Sequence, residues 1–281
     1  MTAFRYVVCD VFTDRPLAGN QLAVFTDARE IPEYDLQQLA REMNFSETTF
    51  VYPPEADGHV KMRIFTPGVE LPFAGHPTLG TAFVLGGPLQ LGEIRIETGR
   101  GTIAVRLERE GARIVFGRME QPIPELSRVE DPSAILAAVG AERVELPVER
   151  CDLGPGHVYL ALDSPETVRA LRPNADALGA ATPDGVNCFA RDGDRWKTRM
   201  FAPEHGVAED AATGSAAGPL AVFLARHGLI DYGEEIEISQ GAEIGRPSKL
   251  YARVDGEDGR IDRVLVGGSA VLVARGEFTL P

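Results

Sequence analysis

One set of motifs occurs twice in the chain, and this repeat constrains the fold more than any other feature. Three segments of the first half recur in the second half at offsets of 136, 139 and 137 residues: KMRIFTP at 61–67 and KTRMFAP at 197–203, ELPFAGH at 70–76 and EDAATGS at 209–215, GNQLAVF at 19–25 and GHVYLAL at 156–162. A repeat at a nearly fixed offset is the signature of a duplicated structural unit. The sequence therefore predicts two copies of one unit.

The two halves also have the same predicted order of elements: strand, turn, strand, helix, strand, strand, loop and helix. In the first half, Phe4–Phe12 is a β-branched and aromatic strand, and Glu33–Met43 has apolar residues at helical spacing. We predict an α+β fold of two similar α/β domains, each a mostly antiparallel curved sheet around a central helix, related by a pseudo-two-fold axis. The predicted domains are residues 1–120, which a strand at 269–281 could join, and residues 121–268.

Each copy contains a glycine loop that leads into an apolar helix, at Gly75-His76 in the first copy and at Gly214-Ser215 in the second. Glycine lets backbone approach a ligand closely, and a helix N-terminus offers unpaired N–H groups to an anion. A pseudo-two-fold axis would bring the two loops face to face across a cleft, where a carboxylate could bind. For either loop alone, a simple entry into a core helix is an equally good interpretation.

The composition narrows the classes of partner. A net charge of −14 and a pI near 4.9 argue against nucleic acid or an anionic membrane as partners. No stretch approaches the roughly 18 apolar residues of a membrane span. Three cysteines without paired spacing, and a start that lacks a signal-peptide pattern, predict a cytoplasmic protein. The scattered histidines and the absence of a phosphate-binding glycine motif predict neither a metal nor a cofactor.

Five segments in order resemble the phenazine-biosynthesis PhzF-like isomerases, which have the diaminopimelate-epimerase-like fold: DVFT at 10–13, LAGN at 17–20, NFSETTFV at 44–51, ELPFAGHPTLG at 70–80 and EDAATGSA at 209–216. The resemblance spans nearly the whole chain. It implies a cofactor-independent isomerase of a small unsaturated carboxylate, similar to dihydro-hydroxyanthranilate isomerisation in phenazine biosynthesis. It also implies a homodimer.

Carried over residue by residue, the resemblance assigns the catalytic groups to Glu47, His76 and Asp210. It places backbone donors for a substrate carboxylate near three residues: Gly75, Gly214 and Ser215. Weaker candidates for substrate contacts are Asn20, Ser46 and Thr213. The chain departs from the family where Gln21 and Ala211 stand in place of frequent prolines, which leaves the identity of the substrate open.

The two loops also constrain the reaction type. Epimerases of this fold use one cysteine on each loop, and the aligned positions here are Gly75 and Gly214. Two-thiol racemisation is therefore not expected, and the chemistry must come from other side chains. Glu47 is the candidate, because the alignment of Phe50 with Phe189 places Val186 at its position in the second copy.

We hypothesise that Glu47 removes a proton beside an unsaturated carboxylate and returns it along the conjugated system. Simpler interpretations exist for each group: a solvated glutamate, a histidine bonded to nearby backbone, and an aspartate that caps a turn. The alternative functions are an epimerase or lyase acting on another small acid, or a non-catalytic carboxylate-binding protein of the same fold.

Overall fold

The computed structural model describes residues 2–257 and 259–280, and these residues divide into two compact units. Among the described residues, unit 1 comprises 2–120 and 267–280, and unit 2 comprises 121–257 and 259–266.

Unit 1 is a mixed sheet with two helices. Its elements are β1 (Thr2–Val11), β2 (Asn20–Phe25), α1 (Glu33–Met43), β3 (Glu47–Tyr52), β4 (Val60–Phe65), β5 (Glu70–Leu71), α2 (Gly75–Leu89), β6 (Glu93–Thr98), β7 (Gly101–Glu110), β8 (Arg113–Gln121) and the last strand of the chain, β18 (Ala270–Leu280). Strand β1 pairs antiparallel with β2 and with β18. Strand β2 runs parallel to β3, β3 is antiparallel to β4, and β4 pairs antiparallel with β5 and parallel with β6. Strand β6 then pairs antiparallel with β7.

Unit 2 repeats this pairing pattern. Its elements are β9 (Ser127–Arg128), α3 (Ser133–Val139), β10 (Glu149–Asp152), β11 (Gly156–Ala161), α4 (Pro165–Ala170), α5 (Ala175–Ala181), β12 (Gly185–Asp192), β13 (Arg195–Ala202), β14 (Val207–Asp210), α6 (Gly214–Arg226), β15 (Glu235–Gln240), β16 (Ser248–Glu257) and β17 (Arg260–Gly268), with 3-10 turns at Pro203–His205 and Ala242–Ile244. From β10 to β16, successive pairings are antiparallel, parallel, antiparallel, antiparallel, parallel and antiparallel, as they are from β1 to β7. This agreement confirms the predicted mixed α/β fold and its duplication.

The helices that follow the two glycine loops are buried almost throughout. Helix α2 packs against β1, β2, β3, β6 and β7 of its own unit, and α6 packs against β16. A helix that is covered on all sides needs no polar face, which explains why both sequences are apolar without amphipathic spacing. The helices begin at Gly75 and Gly214, so His76 and Ser215 lie in the first turn of each.

A serine caps α4, whereas the aspartate before α3 forms a turn. Ser164, the N-cap of α4, accepts a hydrogen bond from the Thr167 N–H at 3.1 Å, as its sequence signal predicts. The Asp131 carboxylate accepts one from the Ser133 N–H at 3.0 Å, but the N-cap residue of α3 is Pro132, so Asp131 does not cap the helix.

Close packing of α2 on the sheet depends on Gly80. A Cβ atom at Gly80 would lie 2.6 Å from Leu22 Cδ2 and 2.7 Å from Val11 Cγ2. We expect Gly80→Ala to lower the free energy of unfolding by about 1–3 kcal/mol, because an extra methyl group overpacks this contact. The matched control is Gly87→Ala in the same helix, where nothing lies within 4 Å of the added Cβ. Urea unfolding of both variants measures the difference, and equal stability of the two would contradict this account of the helix packing.

Candidate functional site

Three polar residues of unit 1 converge at one end of its sheet. Asn20 begins β2, Glu47 begins β3, and His76 is the second residue of α2. Because β2 and β3 are parallel, with Leu22 opposite Glu47, the two strands start at the same end of the sheet. The His76 Nδ1 atom lies 3.2 Å from Glu47 Oε2 and 3.3 Å from Asn20 Nδ2. The structure thus brings together three of the predicted site residues.

The contacts of His76 determine where its protons are. Its Nε2 atom lies 3.3 Å from the carbonyl oxygen of Gln21, which can only accept a hydrogen bond, so Nε2 carries a proton. Its Nδ1 atom can accept from Asn20 Nδ2 at 3.3 Å, and the approach to Glu47 Oε2 at 3.2 Å is then favourable only if Glu47 carries a proton; an ionised Glu47 requires the proton on Nδ1 instead. His76 is 2% exposed and the Glu47 side chain 13%, so this proton is largely shielded from water. A carboxylate and an imidazole that share a proton can act as base and acid in turn.

Unit 2 places a related trio at the equivalent positions. His157 is the second residue of β11, Asn187 lies in β12, and Ser215 is the second residue of α6. The His157 Nε2 atom lies 3.0 Å from Ser215 Oγ, and His157 Nδ1 lies 3.4 Å from Asn187 Nδ2. In the repeat, His157 corresponds to Asn20 and Ser215 to His76. One unit therefore contains an Asn–His contact where the other contains a His–Ser contact.

The strand ladders give two different counterparts for Glu47 in the second copy. Leu22 and Tyr159 occupy the same position in the repeat, and in the parallel ladders Leu22 faces Glu47 while Tyr159 faces Asn187. In the ladders with the following strand, Thr48 faces Phe65 and Val186 faces Phe201, which places Gly185 at that position. The predicted counterpart, Val186, lies between these two residues, so the relative register of the strands differs between the two copies. The polar side chain in the second copy is an amide, which cannot serve as a base.

Asp210 belongs to a hydrogen-bonded turn that leads into α6. The hydroxyl of Thr213 donates to Asp210 Oδ2 at 2.6 Å, and Gln240 Nε2 donates to the Asp210 carbonyl oxygen at 2.8 Å. Gln240 Oε1 accepts from the Thr213 N–H at 3.2 Å. Both Asp210 and Thr213 are buried. The aspartate is thus held rigidly beside the helix start, which agrees with a turn-forming role and also with a fixed site group.

The first turns of α2 and α6 lack side-chain caps. The residues before them, Ala74 and Thr213, make no side-chain hydrogen bond to the helix N–H groups. Gly75 and Gly214 are the first residues of these helices, so no side chain of the preceding residue competes for the anion contacts predicted above. Ser46 directly precedes Glu47 and is half-buried, and its proposed contact with substrate stays a prediction.

None of the cysteines is placed or tuned for thiol chemistry. Cys9, Cys151 and Cys188 are free and buried, and none lies in either glycine loop. Burial raises the pKa of Cys151 and Cys188 to about 12, and it raises the pKa of Cys9 further. Since the thiolate is the reactive form, these cysteines are not suited to proton transfer at neutral pH.

The described part of the chain contains neither a group of metal-ligating side chains nor a membrane-spanning helix. Within residues 2–257 and 259–280, no three His, Cys, Asp or Glu side chains are grouped so as to hold a metal ion. None of the helices in those ranges is both long enough and apolar enough to cross a membrane.

The sequence favours a structural role for His157 and does not predict its contact with Ser215. The histidine follows a glycine in the second copy, as Asn20 does in the first, and this matched position was the available signal. By itself, a histidine after a glycine in an apolar strand favours a structural residue. Only the contact with Ser215 shows that the side chain of His157 lies against the first turn of α6.

Known proteins resemble this chain over nearly its full length. A family profile described as "Phenazine biosynthesis-like protein" matches residues 9–276. The trans-2,3-dihydro-3-hydroxyanthranilate isomerase of Pseudomonas aeruginosa is 48% identical over 276 residues, which cover 98% of this chain and 99% of that protein. The enzyme of the same name from Pseudomonas fluorescens is 47% identical over the same shares of the two chains.

Solved structures extend the comparison to the fold. The Bacillus anthracis phenazine biosynthesis protein of the PhzF family has a TM-score of 0.85 at 25% identity, with full coverage of both chains. A probable proline racemase from Agrobacterium radiobacter has a TM-score of 0.73 at 13% identity, covering 99% of this chain and 93% of that one. The second likeness concerns the fold alone, and it agrees with the predicted epimerase-like architecture.

Proposed function

Because the chain belongs to the phenazine biosynthesis-like protein family and is an isomerase, we propose that its substrate is trans-2,3-dihydro-3-hydroxyanthranilate or a closely similar cyclic carboxylate. The support comes from the relatives that are nearly half identical over the full length. In this proposal Glu47 and His76 move the proton, and Asp210 is the third catalytic group.

The observation that carries the proposal is the contact between Glu47 Oε2 and His76 Nδ1, at 3.2 Å. With the shared proton on His76, Glu47 is an ionised base. With the proton on Glu47, the same carboxyl is an acid. A group that removes and returns one proton needs both states within reach at the same pH.

The proposed step is a proton transfer within one molecule of substrate. Glu47 takes a proton from a carbon beside the unsaturated system, and the electron pair of the broken C–H bond moves into that system. The double bond shifts, and Glu47 returns the proton to another carbon on the same face of the ring. One C–H bond breaks and one forms, so the product is an isomer and no external oxidant or reductant is needed.

The proposal also includes the predicted substrate-binding residues. Gly75, Gly214 and Ser215 bind the substrate carboxylate, and Asn20, Ser46 and Thr213 contribute further polar contacts. The buried network around Asp210 and the uncapped starts of α2 and α6 support these assignments. A cytoplasmic location and a homodimer complete the proposal, the first supported by three free cysteines.

The direct test is turnover of trans-2,3-dihydro-3-hydroxyanthranilate by the wild-type protein in deuterated water. We expect isomerisation at an ordinary enzymatic rate, on the order of 1–1000 per second, without added metal or cofactor. Mass spectrometry of the product shows how much solvent deuterium enters, and partial retention of the original hydrogen is expected if Glu47 returns the proton it removed. Deuterium exchange into the substrate without net isomerisation would favour the epimerase alternative and contradict the proposal.

A further inference from the structure

The hydroxyl group of Ser215 is held by a histidine that has no role in the step described above. Ser215 is 4% exposed and His157 1% exposed, so both groups are removed from water. Within the part of the chain that the structure describes, the side chain of Ser215 hydrogen-bonds only to His157 Nε2. One of these two groups must donate to the other, and the direction determines what the hydroxyl can do.

The amide of Asn187 sets that direction. Its Nδ2 atom, which can only donate, lies 3.4 Å from His157 Nδ1. The Nδ1 atom must therefore be the unprotonated, accepting nitrogen, and the ring proton resides on Nε2. His157 then donates to Ser215 Oγ, and Ser215 is left with a hydroxyl proton that has no acceptor among the described residues. A buried donor without a partner is costly unless a ligand satisfies it.

The environment of His157 keeps this arrangement fixed. Burial, with a smaller contribution from the charge of His205, lowers the pKa of His157 to about 3. The ring therefore stays neutral at neutral pH, and it does not gain a second proton that would turn Nδ1 into a donor. Asp152 acts weakly in the opposite direction.

We propose that His157 is a positioning residue, which receives a hydrogen bond from Asn187 and turns the hydroxyl proton of Ser215 toward a ligand carboxylate. This inference rests on the proposed function only for the identity of the ligand as the substrate carboxylate. It also excludes a nucleophilic role for Ser215. The proton on Nε2 prevents His157 from acting as a base toward the Ser215 hydroxyl, so Ser215 is a binding group. Hydrogen bonds to a charged acceptor are stronger than those to a neutral one.

The first test needs neither a variant nor a substrate. Nitrogen-15 NMR of His157 in the full-length protein is expected to show a protonated Nε2 and a bare Nδ1 from pH 5 to 9. The opposite tautomer, with the proton on Nδ1, would overturn the proposal. In that state the Asn187 amide would have to accept, and Ser215 would donate to the ring instead of to a ligand.

The second test measures anion binding with benzoate and its uncharged analogue benzamide as calorimetric probes. His157→Leu removes the donor to Ser215, whereas His157→Gln keeps an N–H donor. We expect His157→Leu and Ser215→Ala each to weaken benzoate binding about 10- to 100-fold, with a much smaller effect on benzamide. His157→Gln is expected to bind benzoate within about threefold of wild type.

The double variant Ser215→Ala/His157→Leu separates positioning from general packing. If His157 acts through Ser215, its replacement adds no further loss once the hydroxyl is absent. An equal loss in both backgrounds, an equal loss for benzamide, or no benzoate binding to wild type overturns the proposal. In turnover assays, His157→Leu should raise KM and leave kcat within about twofold, since the contact serves binding in both ground and transition states. Failure of turnover in the wild type would refute the proposed function. The tautomer and the benzoate measurements would still decide whether His157 positions Ser215.

Discussion

Glu47→Gln is expected to lower kcat for isomerisation at least about 1000-fold, with little change in KM. General acid–base groups contribute about 100- to 10,000-fold in rate, and here one carboxylate is proposed to serve in both halves of the transfer. Glutamine keeps the size of the side chain and can still donate a hydrogen bond to His76 Nδ1, which lies 3.2 Å from the carboxylate in the wild type. The variant should therefore fold normally and bind the substrate, and only the movable proton is lost. Steady-state kinetics with the cyclic carboxylate substrate measure both constants.

Two further variants make the result specific. Glu42→Gln changes an exposed glutamate five residues earlier and should retain wild-type kinetics. Glu47→Asp keeps the charge but withdraws the carboxylate by one methylene, so partial activity is expected because proton transfer depends on distance. Wild-type turnover by Glu47→Gln would eliminate the carboxylate shuttle, and it would leave His76 or Asp210 as the base.

The duplicated fold could be predicted from sequence because the same residue types recur at the same spacing in both halves of the chain. Strand and helix positions follow from apolar spacing, and two copies of the same spacing imply the same pairing order, which β1–β7 and β10–β16 share. The short helix α5 was not predicted. Its sequence ADALGAA buries only Leu178, so it has no apolar period to detect.

The contacts within the candidate site could be predicted only in part. The family resemblance directed attention to Glu47 and His76, and the structure places them in contact. The role of His157 and the position of Asn187 depend on which residues face each other in parallel strands. That register is set by packing across the whole sheet, so it cannot be predicted from residue types or from offsets along the chain.

The repeat contains one Arg–Glu ion pair in each copy, and the two pairs differ in burial. In unit 2, Arg199 Nε and Nη2 donate to the two carboxylate oxygens of Glu209 at 2.9 and 2.8 Å. Arg199 Nη1 also donates to the carbonyl oxygen of Leu171, just beyond α4, at 3.0 Å. Both side chains are nearly buried, at 7% and 12% exposure. The matching pair in unit 1, Arg63 and Glu70, has the same two-pronged geometry, but the glutamate is 41% exposed.

We expect Glu209→Gln to lower the free energy of unfolding by about 3 kcal/mol, because it leaves the charge of Arg199 buried without its partner. For a chain of this size, that loss corresponds to a fall of roughly 5 °C in the unfolding midpoint. Glu70→Gln should cost less than about 1 kcal/mol, since water screens that pair and Glu33 remains bound to Arg63 at 2.6 Å. Thermal and urea unfolding of the two variants make the comparison, and equal losses would mean that burial does not control the strength of this pair. Glu209 directly precedes Asp210, so a large loss at Glu209→Gln would also show that the buried pair anchors the turn from which α6 and Ser215 begin.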